Sequence, residues 1–248
     1  MFPKKSRLDL RLVKDGLAPS RGRAQAMIMS GKVLVNQRPV DKPGTQISDA
    51  DQVVFKGEAL PFVSRGGLKL AAALTGFDLD PSGLVCLDVG ASTGGFTDCL
   101  LQNGAEHVFA VDVGYGQLAW PLRRNPRVTV FERTNIRYMD SDSLPPNIDL
   151  ATIDVSFISL KIVVPAILKF MKPEGRIISL IKPQFEVGKG QVGKGGVVKD
   201  ARLHDGAIQS LSAFFSEIGL TVGPVLPSPV LGPKGNREFL VLLKKSEE

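Results

Sequence analysis

Residues 84–102 read LVCLDVGASTGGFTDCLLQ, and this stretch decides the fold. The apolar run 84–89 has the length and composition of a buried strand, and it leads directly into the glycine-rich loop 90–95. Residues 96–102 then predict a helix. A strand, a glycine-rich loop and a helix in succession are typical of the first repeating unit of an α/β sheet. Such sheets bind ligands at the carboxyl ends of their strands.

The alternation of strands and helices continues towards the end of the chain. Further apolar runs predict strands at residues 107–111, 128–131, 148–153 and 176–181. Residues 160–171 predict a helix, and a last pair of apolar runs, 222–225 and 239–243, would extend one edge of the sheet. The fold class expected for this larger part of the chain is therefore α/β, a doubly wound sheet with mainly parallel strands.

The loop 90–95 reads GASTGG and lacks the dinucleotide fingerprint G-x-G-x-x-G, because Ser92 stands at its second glycine position. A strand ending in Asp-Val-Gly before small residues and a double glycine resembles instead the first motif of S-adenosylmethionine-dependent methyltransferases. The resemblance implies a Rossmann-like class I methyltransferase sheet. The glycines would let the backbone approach the methionine part of the cofactor, and N–H groups at the helix start can bind its carboxylate.

The positions after the next strands complete the expected cofactor site. Asp112 comes 22 residues after Gly90, at the end of the second strand, where a carboxylate can accept both ribose hydroxyls. Asn135 follows the third strand, where adenine is usually held. The residues expected to bind S-adenosyl-L-methionine are Gly90, Ala91, Ser92, Thr93, Gly94, Gly95, Phe96, Asp112, Val113, Asn135, Ile136 and Asp154. No metal ion is expected, since the sulfonium methyl group is already activated.

Three other chemistries are disfavoured by the residues at their diagnostic positions. GKGQVGK at 188–194 fits a phosphate-binding loop except that Gly195 stands where Ser or Thr should hold magnesium, so a mobile basic loop that closes on RNA is expected there. Methylation of base amino groups usually needs Asp/Asn-Pro-Pro-aromatic after the fourth strand, where this chain has DVSF at 154–157. Carbon-five methylation needs a nucleophilic cysteine, whereas Cys86 and Cys99 are expected to be packed core thiols.

Two lysines and two carboxylates remain as candidates for catalysis. Asp154 and Lys182 end the fourth and fifth strands, so both would point into the same crevice. Lys69 lies on the helix that enters the domain, and Glu238 begins the last strand. Their order, Lys-Asp-Lys-Glu, resembles the catalytic tetrad of FtsJ-type ribose 2′-O-methyltransferases.

The chemistry of ribose methylation is consistent with these residue types. A ribose 2′-hydroxyl is a weak acid, so its attack on the methyl group benefits from a base. Lys182 is expected to be that base, provided that the ammonium group of Lys69 and partial burial lower its pKa. Asp154 and Glu238 would then orient the two amines.

The first quarter of the chain holds nearly all the excess positive charge. Residues 1–60 carry 11 Lys and Arg against 6 Asp and Glu, while the remainder carries 20 against 19. Such a split suggests a small module that binds a polyanion. Leu8, Leu12, Val13 and Leu17 recur at helical spacing, Ser20 can cap a second helix over 21–30, and strands are expected at 33–36 and 52–56.

This helix–Ser-Arg–helix–Gly-Lys-Val pattern resembles the α+β RNA-binding domain first defined in ribosomal small-subunit protein S-four. The resemblance implies that basic residues contact RNA phosphates there, and these are Arg7, Arg11, Arg21, Arg23 and Lys32. Beside the catalytic crevice, further RNA contacts are expected from Arg65, Arg133, Arg137 and Lys189. Tyr115 and Trp120 are expected to be packing residues.

With the runs FVSRGGLKL, DVSFISL and IKPQFEVGKGQVGKGGVVKD, the chain resembles the TlyA family over nearly all of its 248 residues. That family methylates the 2′-oxygen of cytidine in ribosomal RNA, acts on ribosomal subunits, and includes members with a historical haemolysin label. The domains implied are an RNA-binding domain at 1–59, a linker at 60–64 and an FtsJ-like methyltransferase domain at 65–248.

Three alternatives remain open: a membrane-active haemolysin, a pseudouridine synthase, and a protein that binds RNA without turnover. The longest uncharged stretch, 218–233, contains four prolines and cannot span a membrane. The basic N-terminus lacks the apolar segment of a signal peptide. A cytoplasmic protein with no membrane partner is therefore expected.

Overall fold

The chain folds as two units, Met1–Leu60 and Pro61–Glu248. The computed structural model describes residues 5–18, 20–56, 60–145 and 147–245. Among these residues, no helix has both the length and the apolar character needed to cross a membrane.

The first unit combines two helices with short strands. Its elements are β1 Lys5–Arg7, α1 Leu8–Lys14, α2 Arg21–Met29, β2 Val33–Val35, β3 Arg38–Pro39, β4 Gln46–Ser48 and β5 Val53–Phe55. β1 pairs with β4, and β2 pairs with both β3 and β5, all antiparallel. Ser20 caps α2 by accepting a hydrogen bond from the backbone N–H of Arg23, as expected.

The apolar residues of α1 do not all face the core of this unit. Leu8 and Leu12 are fully buried, together with Ala24 and Ile28 of α2. Val13 and Leu17 are more than a third exposed, contrary to the expectation from helical spacing. For Leu17 the reason is that α1 ends at Lys14 and the chain turns at Gly16, where φ is +70°. Leu17 therefore lies beyond the helix.

The second unit is an α/β domain. Its helices are α3 Gly66–Gly76, α4 Gly95–Gln102, α5 Trp120–Arg123, α6 Leu160–Ile167, α7 Pro183–Glu186 and α8 Ala201–Glu217. Its strands are β6 Val85–Val89, β7 His107–Val111, β8 Val128–Phe131, β9 Ile148–Ile153, β10 Met171–Ile181, β11 Leu220–Pro227 and β12 Phe239–Lys245.

The seven strands form one sheet in the order β11-β12-β10-β9-β6-β7-β8. The five strands β10, β9, β6, β7 and β8 are parallel, whereas β12 is antiparallel to β10 and to β11. The predicted class is thereby confirmed, including the last pair of strands at the edge. Because the strand order reverses between β6 and β9, a crevice is expected where these two strands end.

Helices cover both faces of this sheet. Successive residues of a strand point to opposite faces, so neighbouring apolar residues of one strand pack in different cores. Cys86 of β6 packs with Leu70 of α3 and Leu100 of α4 on one face. Leu87, the next residue, packs on the other face in a core that includes Val164 of α6. Cys86 and Cys99 are buried, and burial raises the pKa of each thiol to about 12, which confirms that they are core residues.

Several element boundaries differ from the expectations. The helix predicted over 160–171 ends at Ile167 and continues as a 3-10 turn over Leu168–Phe170, and β10 begins five residues before its predicted start. Residues 61–65, all described, form no strand, and the backbone N–H of Val63 donates to Asp98 Oδ2 at 2.8 Å. The linker at 60–64 and the exact domain limits stay predictions.

Candidate active site

Four titratable side chains meet where β9 and β10 end. Asp154 directly follows β9 and Lys182 directly follows β10. Glu238 precedes β12, which runs antiparallel and therefore starts at this same edge, with Phe239 paired to Ile181. Lys69 reaches the cluster from α3. The structure thus brings together the four residues that the sequence nominated for catalysis.

The distances show that the four groups form one chain of ion pairs. Lys182 Nζ lies 2.6 Å from Asp154 Oδ1, and Lys69 Nζ lies 2.6 Å from Glu238 Oε2 and 3.8 Å from Asp154 Oδ2. Both lysines and Glu238 are less than a tenth exposed. The nearest charge to Lys182 is therefore the carboxylate of Asp154, which stands between the two ammonium groups, and not the ammonium of Lys69.

Two neighbours of this cluster were not found by sequence reasoning. Ser156 Oγ accepts a hydrogen bond from Lys182 Nζ at 3.0 Å. Gly232 lies so close to Glu238 that a Cβ there would be 2.0 Å from Glu238 Oε1, a buried atom that has no hydrogen-bond partner among the described residues. Ser156 lies in the DVSF run, two residues after Asp154. This position near a strand end was the feature of the sequence that could have indicated it.

The glycine-rich loop lies beside this cluster, between the ends of β6 and β9. Gly90 has a φ of +84°, and a Cβ there would lie 2.6 Å from the carbonyl oxygen of Asp154. Gly94 has a φ of +95°, and a Cβ there would lie 2.3 Å from Leu122 Cδ1. Both positions therefore require glycine, for backbone conformation and for space. The loop consequently passes directly against the backbone that positions Asp154.

Asp112 ties this loop to the next strand end. Its Oδ2 accepts from the backbone N–H of Ser92 at 2.8 Å, and its Oδ1 accepts from that of Gly114 at 2.6 Å. Asn135 accepts from the backbone N–H of Arg137 at 3.1 Å and so begins a 3-10 turn. Both side chains are held in place by backbone donors at the carboxyl edge of the sheet.

Two adjoining cavities open at this edge. One, of about 520 Å³, is lined by seven predicted cofactor residues: Gly90, Ser92, Asp112, Val113, Asn135, Ile136 and Asp154. The other, of about 330 Å³, is lined by the four clustered titratable residues and by Gly90, Ala91, Ser92, Thr93, Gly95 and Phe96. Gly90, Ser92, Asp154 and Ser156 belong to both. The two cavities thus share part of their walls, and each predicted cofactor residue except Gly94 lines one or both of them.

A third cavity, of about 270 Å³, lies on the other side of Lys182 and Ser156. Its walls include the rings of Phe157 and Phe185, whose centroids are 5.0 Å apart, and the glycine turn 195–196. Phe157 is 91% exposed and has a φ of +64°, which is unusual for a bulky residue and is often found at functional sites. Sequence reasoning used Phe157 only to exclude amino-group methylation.

A buried carboxyl group lies under the glycine-rich loop. Asp88 is fully buried and accepts hydrogen bonds from the hydroxyls of Thr97 at 2.6 Å and Thr152 at 3.2 Å. Burial raises the pKa of Asp88 to about 7, and the nearby charge of Asp154 acts in the same direction. Asp88 therefore links β6, α4 and β9 from inside the domain.

The predicted RNA-contacting residues of this unit have mixed surroundings. Arg65 is exposed and lines the cavity that holds the lysines. Arg133 lies over the ring of Tyr115 at 4.2 Å, and Arg137 lines the cavity next to Asn135. The side chain of Lys189 lies outside the described residues.

One sequence prediction about this surface is wrong, and another stays untested. Tyr115 and Trp120 are 68% and 66% exposed, so the expectation that they pack in the interior is wrong. The segment 188–198 is folded as a turn, with Asn236 Oδ1 accepting from Val198 N and Asn236 Nδ2 donating to Gly196 O. A phosphate-binding loop leads directly into a long helix, whereas the next long helix after this segment, α8, begins only at Ala201. The mobility expected for the basic loop at 188–194 stays a prediction.

Most of the predicted RNA-contacting arginines of the first unit have acidic neighbours. Arg11 Nε lies 2.6 Å from Asp15 and its Nη1 lies 3.5 Å from Asp49. Arg7 and Arg21 both donate hydrogen bonds to Asp9. Arg23 is half-buried and Lys32 is exposed.

Comparison with known proteins agrees with these features. The FtsJ-like methyltransferase family model matches residues 62–245, and the S4 domain model matches residues 6–53. The chain is 46% identical to the 16S/23S rRNA (cytidine-2′-O)-methyltransferase TlyA of Mycobacterium tuberculosis, over 97% of this chain and 90% of that protein.

Solved structures give the same result for the fold. A haemolysin-named protein from Streptococcus thermophilus matches with a TM-score of 0.78 and 42% identity, over 100% of this chain and 90% of that chain. An S-adenosylmethionine-dependent methyltransferase from Listeria monocytogenes, only 16% identical, matches 74% of this chain and 100% of that chain with a TM-score of 0.55, which supports the fold alone. On these matches, which extend over both units, the chain belongs to the TlyA family of FtsJ-like methyltransferases.

Proposed function

We propose that this chain transfers the methyl group of S-adenosylmethionine to the 2′-hydroxyl of a cytidine in ribosomal RNA. The observation that carries the proposal is the cluster of Lys69, Asp154, Lys182 and Glu238 beside a glycine-rich loop, at the carboxyl edge of a methyltransferase sheet. The relative from M. tuberculosis is named for this reaction.

The residues present fit S-adenosylmethionine. Gly90 lets the loop pass against the backbone of Asp154 and lines both cavities, and the carboxylate of Asp112 borders the larger one, where it suits a ribose diol. Asn135 and Ile136 would hold adenine, and N–H groups at the start of α4 would hold the methionine carboxylate. When bound, the cofactor supplies a methyl group on a positively charged sulfur, which needs no further activation.

The four clustered residues would position and deprotonate the attacking hydroxyl. Lys182, as a neutral amine, would take the proton of the 2′-hydroxyl while the oxygen attacks the methyl carbon in line and the bond from that carbon to sulfur breaks, which leaves an uncharged thioether. In the free protein Lys182 is ion-paired with Asp154, so the neutral amine would form only after a proton has passed to solvent. Asp154 and Glu238 would hold Lys182 and Lys69 in place, and such positioning supplies much of the reduction in the barrier.

The first unit would bring ribosomal RNA to this site. Its S4 domain and its excess of positive charge suit binding to RNA phosphates. We infer that the substrates are ribosomal subunits and that the enzyme works in the cytoplasm. The domain limits proposed are 1–59 for RNA binding, 60–64 for the linker and 65–248 for methyl transfer.

Transfer of tritiated methyl groups from S-adenosylmethionine to unmethylated 30S subunits, 50S subunits and free ribosomal RNA tests the proposal. The wild type should label a ribose, which 2′-O-methyl-sensitive primer extension would locate at a cytidine. Lys182→Ala should lose at least about a hundredfold in rate, because the general base is removed. Lys244→Ala is the matched control, since Lys244 lies opposite Arg176 in the pairing of β10 with β12, at the end of these strands away from the catalytic edge.

The alternatives predict other outcomes. Cofactor binding without transfer to any RNA would support a protein that binds without turnover and would contradict the proposal. Label on a base would also contradict it. A pseudouridine synthase would need no S-adenosylmethionine, and a membrane-active haemolysin would release dye from lipid vesicles.

A further inference from the structure

The first unit contains a carboxylate that is completely buried among cationic side chains. Asp9 is 0% exposed, although it lies in a small domain close to the surface. Arg7 donates to it twice, from Nε to Oδ1 at 3.0 Å and from an Nη to Oδ2 at 2.9 Å. Arg21 Nε and Gln25 Nε2 each donate to Oδ2 at 3.0 Å. These contacts join the start of α1 to the first turns of α2.

The two arginines remain open to solvent on their other sides. The side chain of Arg7 is 39% exposed and that of Arg21 is 55% exposed. Each guanidinium keeps N–H donors that Asp9 does not use. The Arg7 guanidinium is also limited by the turn at Gly44, where a Cβ would come within 3.2 Å of its Nη1.

Fixed arginines bind phosphate better than mobile ones. A free arginine side chain loses rotamer freedom when it is immobilised on a ligand. Here Asp9 has already immobilised both guanidinium groups in the folded protein, and their planar donors match the oxygens of a phosphate. Hydrogen bonds from Arg7 hold the pKa of Asp9 well below its usual range, so the carboxylate stays charged at any working pH.

We infer that Asp9 is a positioning residue that holds Arg7 and Arg21 as a preformed clamp for an RNA backbone phosphate. This inference rests on the proposed function, because it takes RNA to be the partner of the first unit. Asp9 itself repels phosphate and acts only through the two arginines. Arg7 and Arg21 share one carboxylate and keep N–H donors for a phosphate, whereas Arg11 is paired with two carboxylates, those of Asp15 and Asp49.

The variant Asp9→Asn distinguishes a positioning role of Asp9 from an effect of its charge alone, because the two predict opposite changes in RNA affinity. Removing a negative charge from a basic module should strengthen RNA binding if charge alone matters. If Asp9 positions the clamp, affinity should fall by roughly tenfold, about the effect of one lost charge-assisted contact. Asp41→Asn is the matched control, because Asp41 is exposed and its substitution removes the same charge from the same unit. It should bind as tightly as the wild type or more tightly.

The measurement is fluorescence anisotropy of a labelled RNA hairpin with the full-length chain, repeated over a series of salt concentrations. Each lost phosphate contact should lower the slope of log affinity against log salt by about one. A role confined to stability would leave that slope unchanged in folded protein, and circular dichroism at the assay temperature would verify folding.

A second pair of variants keeps the inference testable if Asp9→Asn does not fold. Arg21→Lys keeps the charge but loses the planar donors that Asp9 holds, so affinity should fall severalfold. Arg38→Lys, at an exposed arginine of the same unit that is outside the Asp9 network and is not a predicted RNA contact, should change affinity by less than about twofold. Equal effects of the two lysine variants, or tighter binding by folded Asp9→Asn, would overturn the inference. A wild-type chain that binds no RNA would instead refute the proposed function.

Discussion

Asp154 has one oxygen near each lysine of the catalytic cluster, at 2.6 Å from Lys182 and 3.8 Å from Lys69. A carboxylate between two ammonium groups keeps them apart and gives both a fixed position. Glu238 takes the opposite side of Lys69, where it is almost completely buried. Charge is therefore balanced within the cluster, and removing one member leaves another charge buried without its partner.

Breaking the Lys69–Glu238 pair should affect stability and catalysis separately. Glu238→Ala should lower the free energy of unfolding by about 3 kcal/mol, because it removes the 2.6 Å partner of a buried ammonium group and leaves only Asp154 Oδ2, at 3.8 Å. The double variant Lys69→Met with Glu238→Leu removes both charges and should recover most of that loss, but it should stay inactive. Urea unfolding and methyl transfer measured on the same samples would check this. A stable and active double variant would remove Lys69 and Glu238 from the mechanism.

Asp88 should make stability depend on pH. Burial raises its pKa to about 7. The unfolded chain releases this proton near pH 4, whereas the folded chain retains it until near pH 7. The folded state thus binds more protons in this window, so the free energy of unfolding should fall as pH rises from about 4 to about 7. Above pH 7 this contribution no longer changes.

The variant Asp88→Asn isolates that contribution. Asparagine does not titrate, so the variant should lack a fall of up to about 4 kcal/mol that the wild type shows across this window. Urea unfolding of both proteins at several pH values gives the difference directly. Parallel curves for the two proteins would contradict the assignment to Asp88.

At the scale of elements, the β6–loop–α4 unit is the clearest case of local sequence determining structure. β6 and α4 form within one residue of their predicted limits, and the strands β7, β8 and β9 have their predicted limits. Other elements escaped prediction. β1, β3 and β4 are too short for a periodic pattern, and they form because partner strands are available.

Gly90 should be far more sensitive to substitution than a glycine that needs only its positive φ. Gly90→Ala combines a φ of +84° with a Cβ placed 2.6 Å from Asp154 O. Gly83→Ala has a similar φ of +70° but nothing within 4 Å, so it measures the conformational cost alone, about 1–2 kcal/mol. Gly90→Ala should cost more and abolish cofactor binding in calorimetry, whereas Gly83→Ala should retain it. Equal cofactor affinity in both variants would contradict the role of the loop.

At the scale of the whole molecule, the two units divide the charge unequally. The excess of Lys and Arg lies in residues 1–60, whereas the described residues that line the cavities beside the glycine-rich loop belong to the second unit. RNA binding and cofactor binding should therefore respond to different substitutions.

Arg23→Glu should weaken binding to ribosomal subunits by roughly tenfold at low salt, since it reverses a charge in the basic unit. The affinity for S-adenosylmethionine should stay within about twofold, because no cofactor contact changes. Lys244→Glu makes the same charge change in the second unit and should have a smaller effect on subunit binding. Filter binding and calorimetry measure the two affinities, and a joint loss of both in Arg23→Glu would argue against this division.

Local sequence determined most strands of the large sheet, the glycine-rich loop and the residue types of the site, because hydrophobic periodicity and backbone conformation act over short distances. Family resemblance added the roles expected for Lys69, Asp154, Lys182 and Glu238. Only the tertiary structure decided which charges touch: that Asp154 stands between the lysines, that Asp9 binds two arginines, and that Trp120 is exposed. Apart from the Arg7–Asp9 pair, these contacts join residues on different elements, so their distances depend on how the elements pack and cannot be read from spacing.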